Sequence, residues 1–409
     1  MKDAIKKWNV WWWDINKLKE TIGIERFVLS SILKLLESPH IKDIIGVRRV
    51  GKTVLMYQVI SYLLEKGVKP DEILYLNFDD PELNDLQESI TISLELNPGI
   101  KYVFLDEIQN IKDWEKIIRV YYDQKRFEHV FVSGSSASLI SRDVGRILTG
   151  RHITTIVTPF SYKEILSFRG IDINDPRTEK KIYYLEKYIL EGAFPETIDK
   201  DPWIKTQILT NTYNDIISKD VIIRFDVDSE IVKKICYFLM TNIGSEFSYN
   251  SIAKSLNIHY DTVKKYVPFF EEVFLIKIVP FFSWKTKIQL KKNMKCYAID
   301  TGLRNTVAFK FSKDFGKLAE SVVAMEFMRR NKDVYFWKGK KEVDFVVKDK
   351  NKLQAINVTF SDKISMREKE GLKEFKSKYK NSELMIITKN KEGKEEEIKY
   401  VPLWKWLLG

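Results

Sequence analysis

The sequence predicts an α/β chain: a parallel sheet covered by helices, then a helical segment, a helix-turn-helix unit and a second α/β unit. Three observations predict it. Apolar strands alternate with amphipathic helices from about 41 to 158, the stretch GVRRVGKT sits at a strand-to-helix junction inside that alternation, and strand–helix alternation resumes from about 296 after a mostly helical interval.

The chain has 409 residues, room for two to four domains of about 100 to 200 residues each. A hydrophobic fraction of 44% with 13% aromatic residues is globular, and 31% charged residues, rich in Lys, Glu and Ile, leans toward the composition of proteins from hot environments. The net charge of +11 and a pI near 9.1 favour an anionic partner, with a Lys-rich solvated surface as the plain alternative. Cys236 and Cys296 lie far apart without metal-ligand spacing, so two reduced thiols, no structural zinc and an intracellular, cytoplasmic setting are expected. No signal-peptide core opens the chain and no run of about 18 uncharged apolar residues occurs, so no membrane association is expected. The tryptophans at 8, 11, 12 and 13 are expected to pack as an aromatic cluster against a domain edge rather than to anchor in a membrane.

The first domain is expected over 1–158. Its strands are IKDIIGV, EILYLNF, YVFLDEI, HVFVSG and HITTIVTPF, with helices at Lys52 to Lys66, Trp114 to Asp123 and near 137 to 147. Gly46, Val47, Arg48, Arg49, Val50, Gly51, Lys52 and Thr53 fit G-x-x-x-x-G-K-[ST] in full, with Val54 continuing into the helix. The two glycines permit a tight loop whose N–H groups surround phosphates, and the helix N-terminus adds positive potential. Lys52 is placed for the β and γ phosphates and Thr53 for Mg²⁺. Asp106 and Glu107 end the apolar strand 102–105, where the first would hold the Mg²⁺ shell and the second would polarise the attacking water. A P-loop NTPase with ATP and Mg²⁺ as cofactors and ATP hydrolysis as reaction is therefore expected. Ser133 and Ser135 end the next strand, within reach of γ-phosphate or water, although a helix N-cap suits Ser135 or Ser136 equally. In an oligomeric ATPase Arg151 is the favoured arginine for a neighbour's γ-phosphate, with Arg146 and plain surface salt bridges as the alternatives.

The stretches GVRRVGKTVL, LDEIQN, SGSSASLI, LTGR, TPFSYKEIL and EGAFPE resemble the AAA+-related ATPases of archaea and bacteria, the group with a C-terminal nuclease-like domain. The resemblance covers nearly the whole chain. It implies a helical lid over 159–228 and, by likeness to related signalling ATPases, an adenine contact at Pro195 of GAFP, where a simple helix break is the alternative. It also implies a homo-oligomer, possibly a hexameric ring.

Over 229–283, SYNSIAKSLNI followed by HYDTVKKYVPFFEEVFL has the spacing of a helix-turn-helix, read here as a winged helix. Lys264 and Lys265, with His259, Tyr260 and Asp261, are expected on the exposed face of its second helix, which would lie in a DNA groove or, alternatively, contact protein. Lys285, Lys287, Lys291, Lys292 and Lys295 follow as a basic stripe beside Trp284 that suits phosphate tracking; a solvated face is the alternative.

The tail, 284–409, resembles the PD-(D/E)XK restriction-endonuclease-like α/β fold in GKLAESVVAMEF, EVDFVV and AINVTF. Glu320 and Asp344 match its metal-site positions, but Asn357 and Thr359 stand where a second strand carboxylate and a lysine are needed. A degenerate module retained for DNA binding or assembly is expected, with Lys363 as the one residue able to take the vacant lysine role. The expected function is an Mg²⁺-dependent ATPase coupling hydrolysis to DNA remodelling or translocation. The rivals are a nucleotide-switched scaffold and an ATP-gated nuclease.

Overall fold

The computed structural model describes residues 1–136, 147–308, 315–349, 352–361 and 363–409. The expected helix near 137–147 lies almost wholly outside them. Two compact units form, Met1–Val157 and Thr158–Gly409.

In the first unit, β1 (Ile41–Ile45), β2 (Ile73–Asn77), β3 (Tyr102–Asp106), β4 (His129–Gly134) and β5 (His152–Ile156) form a fully parallel sheet in the order β2-β3-β4-β1-β5. All five residues of β1 are buried, as a strand covered on both faces requires. That burial includes two charged heads, each of which is paired. Lys42 Nζ lies 2.7 Å from the Ser38 carbonyl and 2.7 Å from His129 Nδ1, and Asp43 accepts from Thr154 at 3.0 Å and pairs with His152. Phe104 and Phe131, in register on β3 and β4, stack with centroids 4.6 Å apart.

The tryptophan-rich N-terminus packs along the edge strand β2. Asn9 closes that strand's backbone from its side chain: Nδ2 donates to the Tyr75 carbonyl at 2.8 Å and Oδ1 accepts from the Tyr75 N–H at 2.7 Å. The indoles of Trp11 and Trp12 donate to the Ile73 carbonyl at 3.3 and 2.8 Å, and Trp8 donates to Asp80 at 2.8 Å.

The second unit opens with helices Tyr162–Phe168, Glu179–Glu191 and Pro202–Asp215, the last running on as a π-helix over Ile216–Ile223. Helix Ser229–Thr241 follows, then β6 (Glu246–Phe247), helices Tyr249–Leu256 and Tyr260–Glu272, and β7 (Ile276–Pro280) and β8 (Met294–Ala298). These strands make an antiparallel sheet in the order β6-β8-β7. Helix Phe315–Arg329 leads to β9 (Val334–Lys338), β10 (Glu342–Asp349), β11 (Lys352–Thr359), β12 (Ser382–Thr388), β13 (Gly393–Glu395) and β14 (Ile398–Pro402), a mixed sheet ordered β13-β14-β12-β11-β10-β9, with helix Met366–Lys378 between β11 and β12. The boundary expected after 283 runs through the β7–β8 hairpin, because MKCYA returns to pair with β7 in the register Ile278↔Cys296. Among the described residues, no helix is long and apolar enough to cross a membrane.

Candidate nucleotide-hydrolysis site

Parallel strands send the loops after β1, β3 and β4 out of one sheet edge, where open α/β sheets bind ligands. The loop after β1 turns at Gly46, whose absent Cβ would lie 2.1 Å from the Val157 carbonyl oxygen. Arg49 (φ 63) and Gly51 (φ 95) take left-handed backbone and deliver the chain to the helix Lys52–Glu65. Val47 and Val50 anchor the loop by burial, and Arg26 donates to the Val50 carbonyl at 2.9 Å. Arg48 and Arg49 are half-buried, and Val54 lies on the first turn of the helix.

The buried Lys52 ammonium donates to the Gly46 and Val47 carbonyls at 3.2 and 3.4 Å and stands 3.5 Å from Glu107 Oε1. Thr53 Oγ1 donates to Asp106 Oδ2 at 2.5 Å, and the Tyr75 hydroxyl donates to the same oxygen at 2.6 Å. Ser133 donates to Asp106 Oδ1 and accepts the Glu107 N–H at 3.1 Å. Gln109 Nε2 donates to Glu107 Oε2 at 2.5 Å. Burial and the adjacent Glu107 charge push the Asp106 carboxyl up, against the hydrogen bonds from Ser133, Thr53 and Tyr75. Burial also opposes ionisation of Glu107, but Lys52, Gln109 and Arg48 outweigh it and hold that carboxyl below the usual range. The two neighbouring carboxylates are thus pushed apart, one toward proton acceptance and one toward lasting charge.

A threonine hydroxyl in contact with a buried carboxylate supplies hard oxygen donors of the kind a protein adds to phosphates and water around Mg²⁺, so Thr53 and Asp106 fit that ion. Mg²⁺ bound there would neutralise charge on the transferred phosphoryl group. Tyr75 and Gln109 are site residues the motif does not reveal. Tyr75 sits in an apolar strand, and its signal was that a buried hydroxyl needs a partner.

Ser135 and Ser136 are buried at the end of the described part of β4's loop, and Arg146 lies outside the described residues. Arg151 precedes β5, and its carbonyl accepts the Ile41 N–H at the start of β1. It therefore stands at the sheet edge opposite its own phosphate loop, about 16 Å away by strand length. Its guanidinium pairs with Asp123 at 2.8 Å. Pro195, in the second unit, begins the 3-10 turn Pro195–Thr197 and is half-buried.

Also in the second unit, Lys264 and Lys265 are exposed on the helix Tyr260–Glu272 beside the equally exposed Tyr260 and Asp261. Lys285, Lys287, Lys291 and Lys292 are exposed as well. Lys295 corrects the expected stripe: it is fully buried on β8, 2.6 Å from Glu342 and 3.5 Å from Asp344, and is closed to a phosphate backbone. β8 alternates, so Lys295 and Tyr297 share a face. Tyr297 donates to Glu320 at 3.0 Å, and Lys317 donates to Glu320 at 3.0 Å. Burial lowers the affinity of Lys295 for its proton, but Asp344, Glu320 and Glu342 reverse this and raise its pKa.

Asn357 Oδ1 accepts the Asp344 N–H at 3.0 Å and its Nδ2 donates to the Glu368 carbonyl at 3.1 Å, so its amide serves as a backbone bridge. Thr359 contacts Ser361 at 3.3 Å, and Lys363 is exposed. Among the described residues no group of three or more His, Cys, Asp or Glu has the arrangement of a metal site.

Residues 38–166 match the AAA domain family, 182–314 a domain of unknown function (DUF8612) and 315–406 another (DUF4143). The chain is 30% identical over 407 residues to an "Uncharacterized protein" of Haemophilus influenzae, covering 95% of this chain and 99% of that one. It is 33% identical over 410 residues to "Uncharacterized protein MJ1544" of Methanocaldococcus jannaschii, covering 92% and 90%. Among solved structures it is similar to the Walker-type ATPase PABY2304 of Pyrococcus abyssi, at 11% identity and a TM-score of 0.45, over 70% of this chain and 98% of that one. With an AAA domain around its phosphate loop and full-length relatives at this identity, the chain is an ATP hydrolase that uses ATP and Mg²⁺ through an AAA-type P-loop domain, and it belongs to the same family as these Haemophilus and Methanocaldococcus proteins.

Proposed function

We propose that this ATPase acts on DNA, coupling nucleotide hydrolysis to DNA remodelling or translocation. The observation that carries the reading is the outer face of the helix Tyr260–Glu272, which displays Lys264 and Lys265 as the second helix of a helix-turn-helix. The order helix, β6, helix, helix, β7–β8 hairpin supports a winged helix, extended from the expected 229–283 to about residue 298. Lys285, Lys287, Lys291 and Lys292 lie on the connection of that hairpin, where a wing would meet phosphates.

In this reading residues 159–228 act as the lid, Pro195 as an adenine contact, and the remainder of 284–409 as a nuclease-like module without nuclease chemistry. The placement of Glu320 on a helix and of Asp344 and Asn357 on paired strands supports that last assignment. Ring assembly is supported by Arg151, which stands too far from its own phosphate loop to act there and would serve a neighbour.

Steady-state hydrolysis with single-stranded, duplex and forked DNA, with Glu107→Gln as the background, tests the reading. Stimulation by at least one form is expected. Slow hydrolysis indifferent to all three would replace it with a nucleotide-switched scaffold.

A further inference from the structure

A cleft of about 560 Å³ opens in the second unit beside Trp284, within the size range of sites for small ligands. Its rim carries Lys348, Lys352, Lys378 and Lys380, and no acidic residue lines it among the described residues. Trp284 is 63% exposed, far more than a packing role needs. It is nonetheless held in place: Phe282 meets its ring at 5.3 Å and 71°, and meets Tyr379, also on the cleft wall, at 5.3 Å and 74°. The Lys285 N–H donates to Ser283 Oγ at 3.1 Å, fixing the turn around the indole. Lys348 and Lys380 are exposed and have no carboxylate partner among the described residues. Lys352 is paired with Glu383 only at the surface, and Lys378 lies over the rings of Trp337 and Tyr379.

We propose that this cleft binds single-stranded nucleic acid, with an unpaired base stacked on Trp284 and the backbone phosphates held by Lys348, Lys378 and Lys380. A pinned aromatic face ringed by exposed ammonium groups, two of them without a carboxylate partner among the described residues, is what a base and its phosphates require together. A duplex keeps its base faces stacked inside and has none to offer the indole. The proposal rests on the nucleic-acid reading above and adds to it a second surface, distinct from the helix Tyr260–Glu272, for the strand that remodelling would free.

The test uses the full chain and the anisotropy of a short fluorescein-labelled oligo(dT), an oligo(rU) of equal length and a blunt duplex, with polyglutamate as competitor. Trp284→Ala is expected to weaken oligo(dT) binding by roughly 5- to 150-fold, the range of one lost stacking contact. Trp284→Phe retains most of the affinity. Lys348→Ala with Lys380→Ala lowers the salt slope by about 1.4, as two lost phosphate contacts on a single strand should. Lys348→Ala with Lys380→Ala leaves duplex affinity unchanged, whereas Lys264→Ala with Lys265→Ala lowers it. Comparing oligo(dT) with oligo(rU) assigns the strand as DNA or RNA. Duplex binding with oligo(dT) affinity indifferent to Trp284 overturns the proposal and leaves the DNA reading standing, and so does displacement of oligo(dT) by polyglutamate at equal charge. Binding of neither nucleic acid overturns both.

Discussion

The ammonium of Lys295 lies 2.6 Å from Glu342 and 3.5 Å from Asp344, and this lysine is the resident cation of the buried carboxylate cluster. Removing it leaves Glu342 and Asp344 without their ammonium partner in a largely buried region, while Lys317 still serves Glu320. Lys295→Met should therefore destabilise the second unit by about 3–5 kcal/mol, the usual cost of breaking a buried pair from one side. Thermal or denaturant unfolding checks this; a loss under about 1 kcal/mol would mean that water replaces the lysine.

The same occupancy predicts no nuclease chemistry. Asn357 is spent on the Asp344 and Glu368 backbones, and Lys363 is exposed outside the cluster. Supercoiled plasmid should stay intact through long incubation with Mg²⁺ or Mn²⁺. Nicking that disappears in Asp344→Ala would overturn this.

At the phosphate loop, Gly46→Ala would place a methyl 2.1 Å from the Val157 carbonyl oxygen, a contact no rotamer relieves. ATP affinity should fall at least about tenfold, or roughly 1.4 kcal/mol, as the loop shifts. Glu107→Gln should instead keep ATP binding and reduce turnover by about 10²-fold or more, the scale of a lost general base. Equilibrium binding of a fluorescent ATP analogue alongside steady-state turnover separates the two.

Arg151→Ala should abolish hydrolysis and spare ATP binding if the arginine serves a neighbouring subunit. Because the residue stands at the opposite sheet edge from its own phosphate loop, mixing Arg151→Ala chains with Glu107→Gln chains should recover part of the turnover. No recovery in mixed assemblies, or full activity of Arg151→Ala alone, would reduce Arg151 to its surface pair with Asp123.

His129 provides a pH signature in the first unit. Burial and then the Lys42 charge hold its pKa down at about 4, from 6.5. Between those values the unfolded chain takes up a proton that the folded chain refuses, so stability falls as pH drops from about 6.5 to 4. His129 is only about half-buried, so solvent moderates the effect. His129→Gln should flatten the fall in Tm across that window relative to wild type; parallel profiles would show that the histidine titrates freely.

The phosphate site was legible because its chemistry is local. Eight consecutive residues and a strand-ending Asp106–Glu107 pair carry most of it, and folding only closes the distances. Tyr75 and Gln109 were not legible, because their roles depend on which strand becomes the neighbour of β3 and on how Glu107 turns. Lys295 was misassigned for the same reason. In sequence it is one of five lysines within eleven residues, and only the pairing of β8 between β6 and β7 shows that it faces inward. The β7–β8 hairpin crosses residue 283, and the lysine-rich connection hides the short strand MKCYA, buried at all but its first residue.

The carboxamide of Asn9 and the indoles of Trp11 and Trp12 occupy backbone groups on the outermost strand of the first sheet. An uncovered strand margin is a template onto which another molecule's strand adds. The tryptophan-rich segment therefore works as a guard against aggregation. A chain shortened past residue 13 should still carry its phosphate loop, yet gather into β-rich, thioflavin-positive aggregates on mild warming, and Asn9→Ala should move the protein part of the way there.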